Sequence, residues 1–382
     1  MQTWPKWRED VDREGMTFAA SPDYELFPPL EKPLKPYAAA VKAARECEPL
    51  MREYDPEIVV ADILTIATAL AAQVAGKPWV TLVPHVMPTW SPGFPIYSIG
   101  SVLPRSGVGR RAWDAFRPLS RRGEERGRVE LNGARERVGL PPLDHVQGGI
   151  SHQLALVATF PQLEYPRDGE GEEPWVRVTG PLIYERPCDD IELPPGDDPL
   201  VLVASSTSQD PDQRLLRAAL DGLANEPVRI LVTTNRSDLT LRTTVPANAR
   251  LAEWASYART MPHCAAVISH VGHGTLASAL AAGVPVIACP AAGDQAENAA
   301  RVRWAGVGVS VPRRLQTARG LRLATRRLLS DPSYAARAGE LKRWAERNDG
   351  AARAADELEA FATDVTPETE LRRWDSNPQP SP

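Results

Sequence analysis

Residues 265–302 read AAVISHVGHGTLASALAAGVPVIACPAAGDQAENAARV: an apolar run, a glycine-punctuated turn, a helical pattern, a second apolar run between Pro285 and Pro290, and a polar loop. Short β-branched runs alternating with helical stretches mark parallel strands joined by crossover helices, so this segment predicts an α/β sheet. Gly272 and Gly274 follow a strand end at His270, and without side chains they let a ligand approach the backbone. Thr275 is predicted to cap the next helix, whose free amides and macrodipole attract an anion such as a diphosphate. His270 adds a donor for a phosphate oxygen. Asp294 and Gln295 fall at the carboxyl end of the second strand, where open α/β sheets bind ligands, and they suit sugar hydroxyls. Read singly, each has a plainer alternative: a histidine satisfied by its neighbours, or a solvated turn. His273 is expected to face solvent or to pack on the turn.

The same alternation extends outward. EIVVADIL, WVTLVPH, LALVATF, WVRVTG, PLVLVASSTS, VRILVTTN and ARLAEW each predict a strand. Residues 109–138, dense in Arg and Glu, predict one or two surface helices. ERPCDDIELPPGDDP, ending at Pro199, supports neither helix nor strand pairing and reads as an interdomain linker. The expected division is a first domain at 1–183, a linker at 184–199, a second domain at 200–348, a helix at 349–362 and a disordered tail at 363–382.

Composition narrows the function. In 382 residues, 44 Lys and Arg face 49 Asp and Glu, a formal charge of -5 without a basic block, which argues against nucleic acid and for a small-molecule partner. Cys47, Cys188, Cys264 and Cys289 form no C-x-x-C pair and match no zinc or disulfide framework. The longest apolar stretch is interrupted by Asp62, Thr65, Thr68 and Gln73, so no stable membrane insertion is expected. With no leader expected either, the reading is a soluble cytoplasmic protein.

The set His270, Gly272, Gly274, Thr275, Gly283, Val284, Pro285, Pro290, Asp294, Gln295 and Asn298 resembles the donor-site signature of the nucleotide-sugar-dependent glycosyltransferases of macrolide, antibiotic and plant secondary metabolism. The likeness extends through ATFPQLEYP, VTGPL, VVADILT and GKPWVTLVPH, and so to nearly the whole chain up to about Ala362. It implies the GT-B fold: α/β, two Rossmann-like doubly wound domains, with acceptor bound to the first, donor to the second, and the helix at 349–362 crossing back to the first. It implies base stacking by Trp254, a diphosphate held by His270, Gly272, Gly274 and Thr275, and a phosphate-facing loop containing Ser206 and Thr207. Ser278 stands where the family grips the ribose, and Asp294, Gln295 and Asn298 face the sugar. His85 and Trp90, in and before the loop MPTWSPGFPIYSIG, belong to the acceptor pocket. No metal and no cofactor are implied, because the UDP- or TDP-sugar is a co-substrate; the acceptor is a small apolar hydroxylated molecule and the chain a monomer or homodimer.

The chain also departs from the family pattern. The family's base histidine lies in a loop after its first strand, and MQTWPKWREDVDREGMTF matches the family pattern only beyond that unit. A first domain truncated by roughly 30 residues or more is therefore expected, with the base histidine absent. Asp62 matches the carboxylate that orients that base, and an ordinary loop carboxylate is the alternative. His85 is read as a structural or acceptor-pocket residue rather than a substitute base. Val271 stands where bacterial relatives have Gly, and Ser256 and Tyr257 replace Pro-Gln after Trp254. The expected function is inverting sugar transfer; the alternatives are an inactive nucleotide-sugar binder or fragment, and, against the signature, a UDP-sugar epimerase.

Overall fold

Strands apolar on both faces persist only where helices cover both sides, and the Val-, Ile- and Leu-rich runs of the sequence form parallel strands in that setting. The computed structural model describes residues 1–22, 37–167, 173–204, 213–234 and 244–365. The chain opens with β1 (Gln2–Thr3) and β2 (Ala19–Ala20), paired in parallel around α1 (Arg8–Arg13). The first main sheet has the order β3 (Val59–Asp62), β4 (Trp79–Val83), β5 (Ala155–Val157), β6 (Val176–Val178), all parallel. Against it lie α2 (Ala38–Tyr54) and α3 (Ile66–Val74), joined through buried alanines. The Arg- and Glu-rich stretch forms α4 (Gly107–Asp114) and α5 (Arg117–Arg137).

The second sheet holds β7 (Leu200–Ala204), β8 (Arg229–Thr233), β9 (Ala249–Ala252), β10 (Cys264–Ser269), β11 (Val286–Ala288) and β12 (Gly308–Ser310). Their spatial order is β9-β8-β7-β10-β11-β12, all parallel, so the direction of winding reverses between β7 and β10. In an open parallel sheet the crevice at that reversal is where ligands bind. β10 shows the two-sided burial directly: Val267 packs into one apolar cluster and Ile268 into the other. Around the sheet stand α6 (Arg214–Leu223), α7 (Tyr257–Thr260), α8 (His273–Ala281), α9 (Gln295–Ala305), α10 (Ala318–Ser330) and α11 (Pro332–Ala345). The architecture is thus α/β with two Rossmann-like parallel sheets.

Residues 181–199 contain no helix or strand, and Arg186 ties them to Asp10 while Glu185 accepts the first amides of α7. The last helix, α12 (Gly350–Val365), packs Ala354, Leu358 and Phe361 against Val80, Leu154 and Leu156 of the first sheet. Ser206, Thr207 and residues 366–382 of the expected tail lie outside the described residues.

The start of α12 depends on a close backbone approach. A Cβ on Gly350 would sit 2.5 Å from the Pro181 carbonyl oxygen and 2.8 Å from the Gly180 carbonyl. Gly350→Ala is expected to destabilise the protein by about 1–3 kcal/mol, as overpacking does. A thermal midpoint equal to that of the parent protein would show that the helix start yields freely.

Candidate functional site

β10 runs beside β7, Ser269 against Ala204, and delivers His270 to the carboxyl edge at the reversal point. The imidazole is 4% exposed, and its Nδ1–H donates to the Cys289 carbonyl at 2.7 Å, so β11 fixes the ring. Val271 then takes φ 53, a left-handed conformation that costs an L residue roughly 1–2 kcal/mol and a β-branched one more. Glycine adopts this turn without such strain. Val271 offsets the strain by burying its side chain completely in the main apolar cluster.

Helix α8 begins at His273 behind Gly272, which occupies the N-cap without a side-chain bond. Thr275 therefore sits inside the first turn and does not cap the helix, which corrects the sequence reading: Val271 makes the turn, and the helix starts earlier than a Thr275 cap requires. Gly272 and Gly274 lie outside the left-handed region, and a Cβ at either would meet open space. Their missing side chains leave the approach to the helix open rather than enabling the turn. The amides of His273, Gly274 and Thr275 have no helix carbonyl behind them and point outward from the start of α8.

Asn298 uses both Nδ2 protons, one on the Val271 carbonyl at 2.9 Å and one on Asp294 Oδ2 at 3.0 Å. Gln295 turns its Oε1 back to the amides of Ala291 and Ala292, at 2.8 and 3.2 Å, and keeps only its amide group for a ligand. Ser278 is half-buried on α8. Trp254 is 45% exposed on the loop after β9 and stands three strands from β10 in the sheet order. That separation is roughly 14 Å at ordinary strand spacing, a span suited to a stretched nucleoside diphosphate. Ser256 accepts the Arg259 amide at 3.1 Å and so caps α7.

Across the cleft, Asp62 ends β3 with Oδ1 accepting the Leu64 amide at 2.8 Å; burial raises its pKa, and that amide and the nearby His85 lower it. His85 follows β4, its Nδ1 2.8 Å from the Val86 carbonyl and 3.3 Å from the Tyr97 hydroxyl. Burial pushes the Tyr97 hydroxyl well above its usual range, and Asp294 and Glu297 add to that. His273 does not face solvent: burial brings its pKa down to about 4, its ring meets the Ala158 backbone of the first unit, and its Nε2 is buried without a partner among the described residues.

Two charged residues at the centre escaped the sequence reading. Arg301 and Glu297 are 2% and 3% exposed, paired at 2.9 Å along α9. Arg301 also donates to the Leu163 carbonyl at 3.1 Å and lies 3.3 Å from the Tyr165 ring centroid, while Glu297 accepts the Ser98 amide at 3.2 Å. Their i,i+4 spacing looks like an ordinary solvated helix pair, so only burial by the other unit distinguishes them. Glu164 stands 3.8 Å from Arg301 and takes the Met87 amide at 2.6 Å; burial raises its pKa against the pull of Arg301 and Arg167.

Beside this network lies a cavity of about 440 Å³ whose wall includes Met87, Trp90, Phe94, Tyr97, Leu119 and Tyr165. Trp90 belongs to that wall, with the Arg117 guanidinium 4.2 Å from its ring, and His85 stands behind it through Tyr97. The structure thus joins His85, Tyr97, Asp294 and His273 with Asp62 around one cleft, with Trp254 at a distance along the sheet. Among the described residues no His, Cys, Asp or Glu group is arranged to hold a metal, and no helix is long and apolar enough to cross a membrane.

Known proteins share this fold. Residues 217–360 match the family described as Erythromycin biosynthesis protein CIII-like, C-terminal domain. The chain is 33% identical over 238 residues to 4'-demethylrebeccamycin synthase of Lentzea aerocolonigenes, covering 59% of this chain and 55% of that protein. It is 27% identical over 369 residues to O-mycaminosyltylonolide 6-deoxyallosyltransferase of Streptomyces fradiae, covering 87% and 83%. The chain spans about half the length, or less, of the first curated relatives it matches. Among solved structures, the glycotransferase of kitacinnamycin superposes with a TM-score of 0.73 at 21% identity over 94% of this chain and 90% of that one. Glycosyltransferase VinC in complex with DTDP does so with a TM-score of 0.66 at 18% identity, over 95% and 92%. The fold is the GT-B fold of this group. Residues 217–360 match that C-terminal domain family, and the chain is similar to macrolide and antibiotic glycosyltransferases with that fold.

Strain at Val271 inverts the usual order of truncation. Val271→Ala keeps the left-handed backbone and loses packing, whereas Val271→Gly loses one atom more and removes the strain. The glycine variant is expected to melt at or above the alanine variant, and a markedly lower midpoint for glycine would refute the strain.

His273 sets a second expectation. Unfolded, it titrates near 6.5; folded, only near 4, so between these values the unfolded chain binds more protons. Stability is intact above the upper value and falls as pH drops through the window, by roughly 2–4 kcal/mol in all. His273→Gln should flatten that limb in denaturant titrations at stepped pH; an unchanged slope would mean the ring protonates freely in the native state.

Proposed function

We propose that the chain transfers a sugar from a UDP- or TDP-linked donor to a hydroxyl of a small, largely apolar secondary metabolite, with inversion at the anomeric carbon. One observation carries this reading: the open start of α8 stands at the reversal point of one sheet, and a largely apolar cavity of about 440 Å³ lies between the first unit and Glu297 and Arg301 of α9. A leaving diphosphate needs preorganised donors where its charge develops, and the outward amides of His273, Gly274 and Thr275 with the helix macrodipole are such donors. The side-chain wall of Trp90, Phe94, Leu119 and Tyr165 suits an apolar ring system rather than a peptide or a polyanion. The DTDP held by VinC and the deoxyallosyl transfer named for the Streptomyces fradiae relative support the same reading. The reaction uses neither metal nor cofactor.

His270 has a defined part in it. Its Nδ1–H is committed to Cys289, so donation from Nε2 to a phosphate oxygen requires the doubly protonated ring. Calorimetry with UDP and TDP is expected to show binding. His270→Ala should weaken binding by roughly 1.5–3 kcal/mol. Equal affinity in the variant would remove His270 from the donor site, and no uptake by folded wild-type protein would end the transfer reading.

A further inference from the structure

We infer that His85 accepts the proton of the attacking hydroxyl, a role that rests on the transfer reading above and that the sequence alone assigned to no residue of this chain. Its place in the fold comes first. His85 leaves the carboxyl end of β4, next to the end of β3, where the Ile63 amide donates to Leu82 at 2.9 Å and brings Asp62 alongside. Tyr97, in the wall of the apolar cavity, contacts the ring from one side. From the opposite unit His273, the first residue of α8, lies within electrostatic reach of it. The imidazole therefore stands between the cavity and the helix start that receives the diphosphate, where a base must stand to meet a hydroxyl aimed at the anomeric carbon.

The ring is also in the correct tautomer. A carbonyl only accepts, so the 2.8 Å contact with Val86 places the proton of neutral His85 on Nδ1. Nε2 keeps its lone pair and makes no hydrogen bond among the described residues. Asp62 and Glu164 lie within electrostatic reach of the ring, Tyr97 keeps its hydroxyl proton, and burial holds His273 neutral, so neither Tyr97 nor His273 competes as the base. In the step itself the hydroxyl proton passes to Nε2 and the oxygen pair forms the bond to the anomeric carbon. The bond from that carbon to the diphosphate oxygen breaks, its electron pair leaves on the diphosphate, and the imidazolium later releases its proton to solvent.

The test uses acceptor acidity. Full-length wild-type protein and His85→Gln are assayed with UDP-glucose and TDP-glucose as donors, and with 4-methoxyphenol or 4-nitrophenol as acceptor at mildly alkaline pH. Ionised 4-nitrophenol needs no base, whereas 4-methoxyphenol does. His85→Gln is expected to lose on the order of 10²–10⁴-fold in kcat with 4-methoxyphenol and less than about tenfold with 4-nitrophenol. KM for the donor, TDP affinity and melting temperature should hold, which excludes a folding defect. Equal losses with both phenols, or no loss, would overturn the assignment, as would wild-type protein that binds TDP yet glucosylates neither phenol. Absence of UDP or TDP binding to the wild-type protein would instead defeat the underlying transfer reading, and calorimetry reports it separately.

Discussion

Arg301 sets the arrangement of the two units. Its guanidinium is almost fully buried, bonded to Glu297 and to the Leu163 carbonyl, and laid on the face of Tyr165. A buried charge stripped of its partners costs several kcal/mol, so separating the units at this point is opposed by more than lost apolar contact. The Ser98 amide closes the same junction on Glu297 from another loop of the first unit. Because Arg301 and Glu297 lie on α9, the start of that helix, with Asp294 and Asn298, keeps a fixed position relative to the apolar cavity. The geometry of the cleft derives from one satisfied guanidinium and the apolar contacts around it, among them Val86, Phe160 and Leu163 packed into the core of the second sheet.

Within the second unit a smaller constraint repeats this logic. The left-handed turn at Val271 is costly, and two features oppose its relaxation: complete burial of the valine side chain and the Asn298 bond to its carbonyl. Asn298 ties the same amide group to Asp294, so the loop after β10 and the loop after β11 move as one piece. A residue that the family resemblance places against the sugar thus holds the backbone in this chain. Strain of this kind persists only where surrounding structure over-determines it, and here it fixes the direction in which the amides of α8 point.

Much of the fold is legible in the sequence because its signals are local. The β-branched runs around Asp62, His85 and His270 state their own period, and the prolines flanking VIAC delimit β11 without reference to the rest of the chain. The glycines at 272 and 274 are legible in position, though their reason is open space and not turn geometry. The features hidden from the sequence depend on partners distant in the chain. Glu297 and Arg301 have the spacing of a surface pair and become a buried junction only when Leu163 and Tyr165 arrive. His273 looks solvated until Ala158 closes over it, and His85 looks like a wall residue until Asp62 and His273 come near it. The Thr275 cap fails for a related reason: glycine is the expected turn former, and the structure makes the turn with valine.

Three histidines around one cleft illustrate how neighbours, not residue type, set chemistry. His273 is kept neutral by burial; His85 and His270 each commit Nδ1–H to a carbonyl, so the role of Nε2 is defined by the group that approaches it. In the proposed reaction the donor diphosphate approaches His270 and the hydroxyl approaches His85. These events are coupled, because negative charge developing on the leaving diphosphate favours an imidazolium at His85 through the low-dielectric cleft. Without a bound donor no electrophilic carbon awaits the oxygen. Proton acceptance and departure of the diphosphate therefore reinforce each other only when the units are held together, which returns the chemistry to the junction at Arg301.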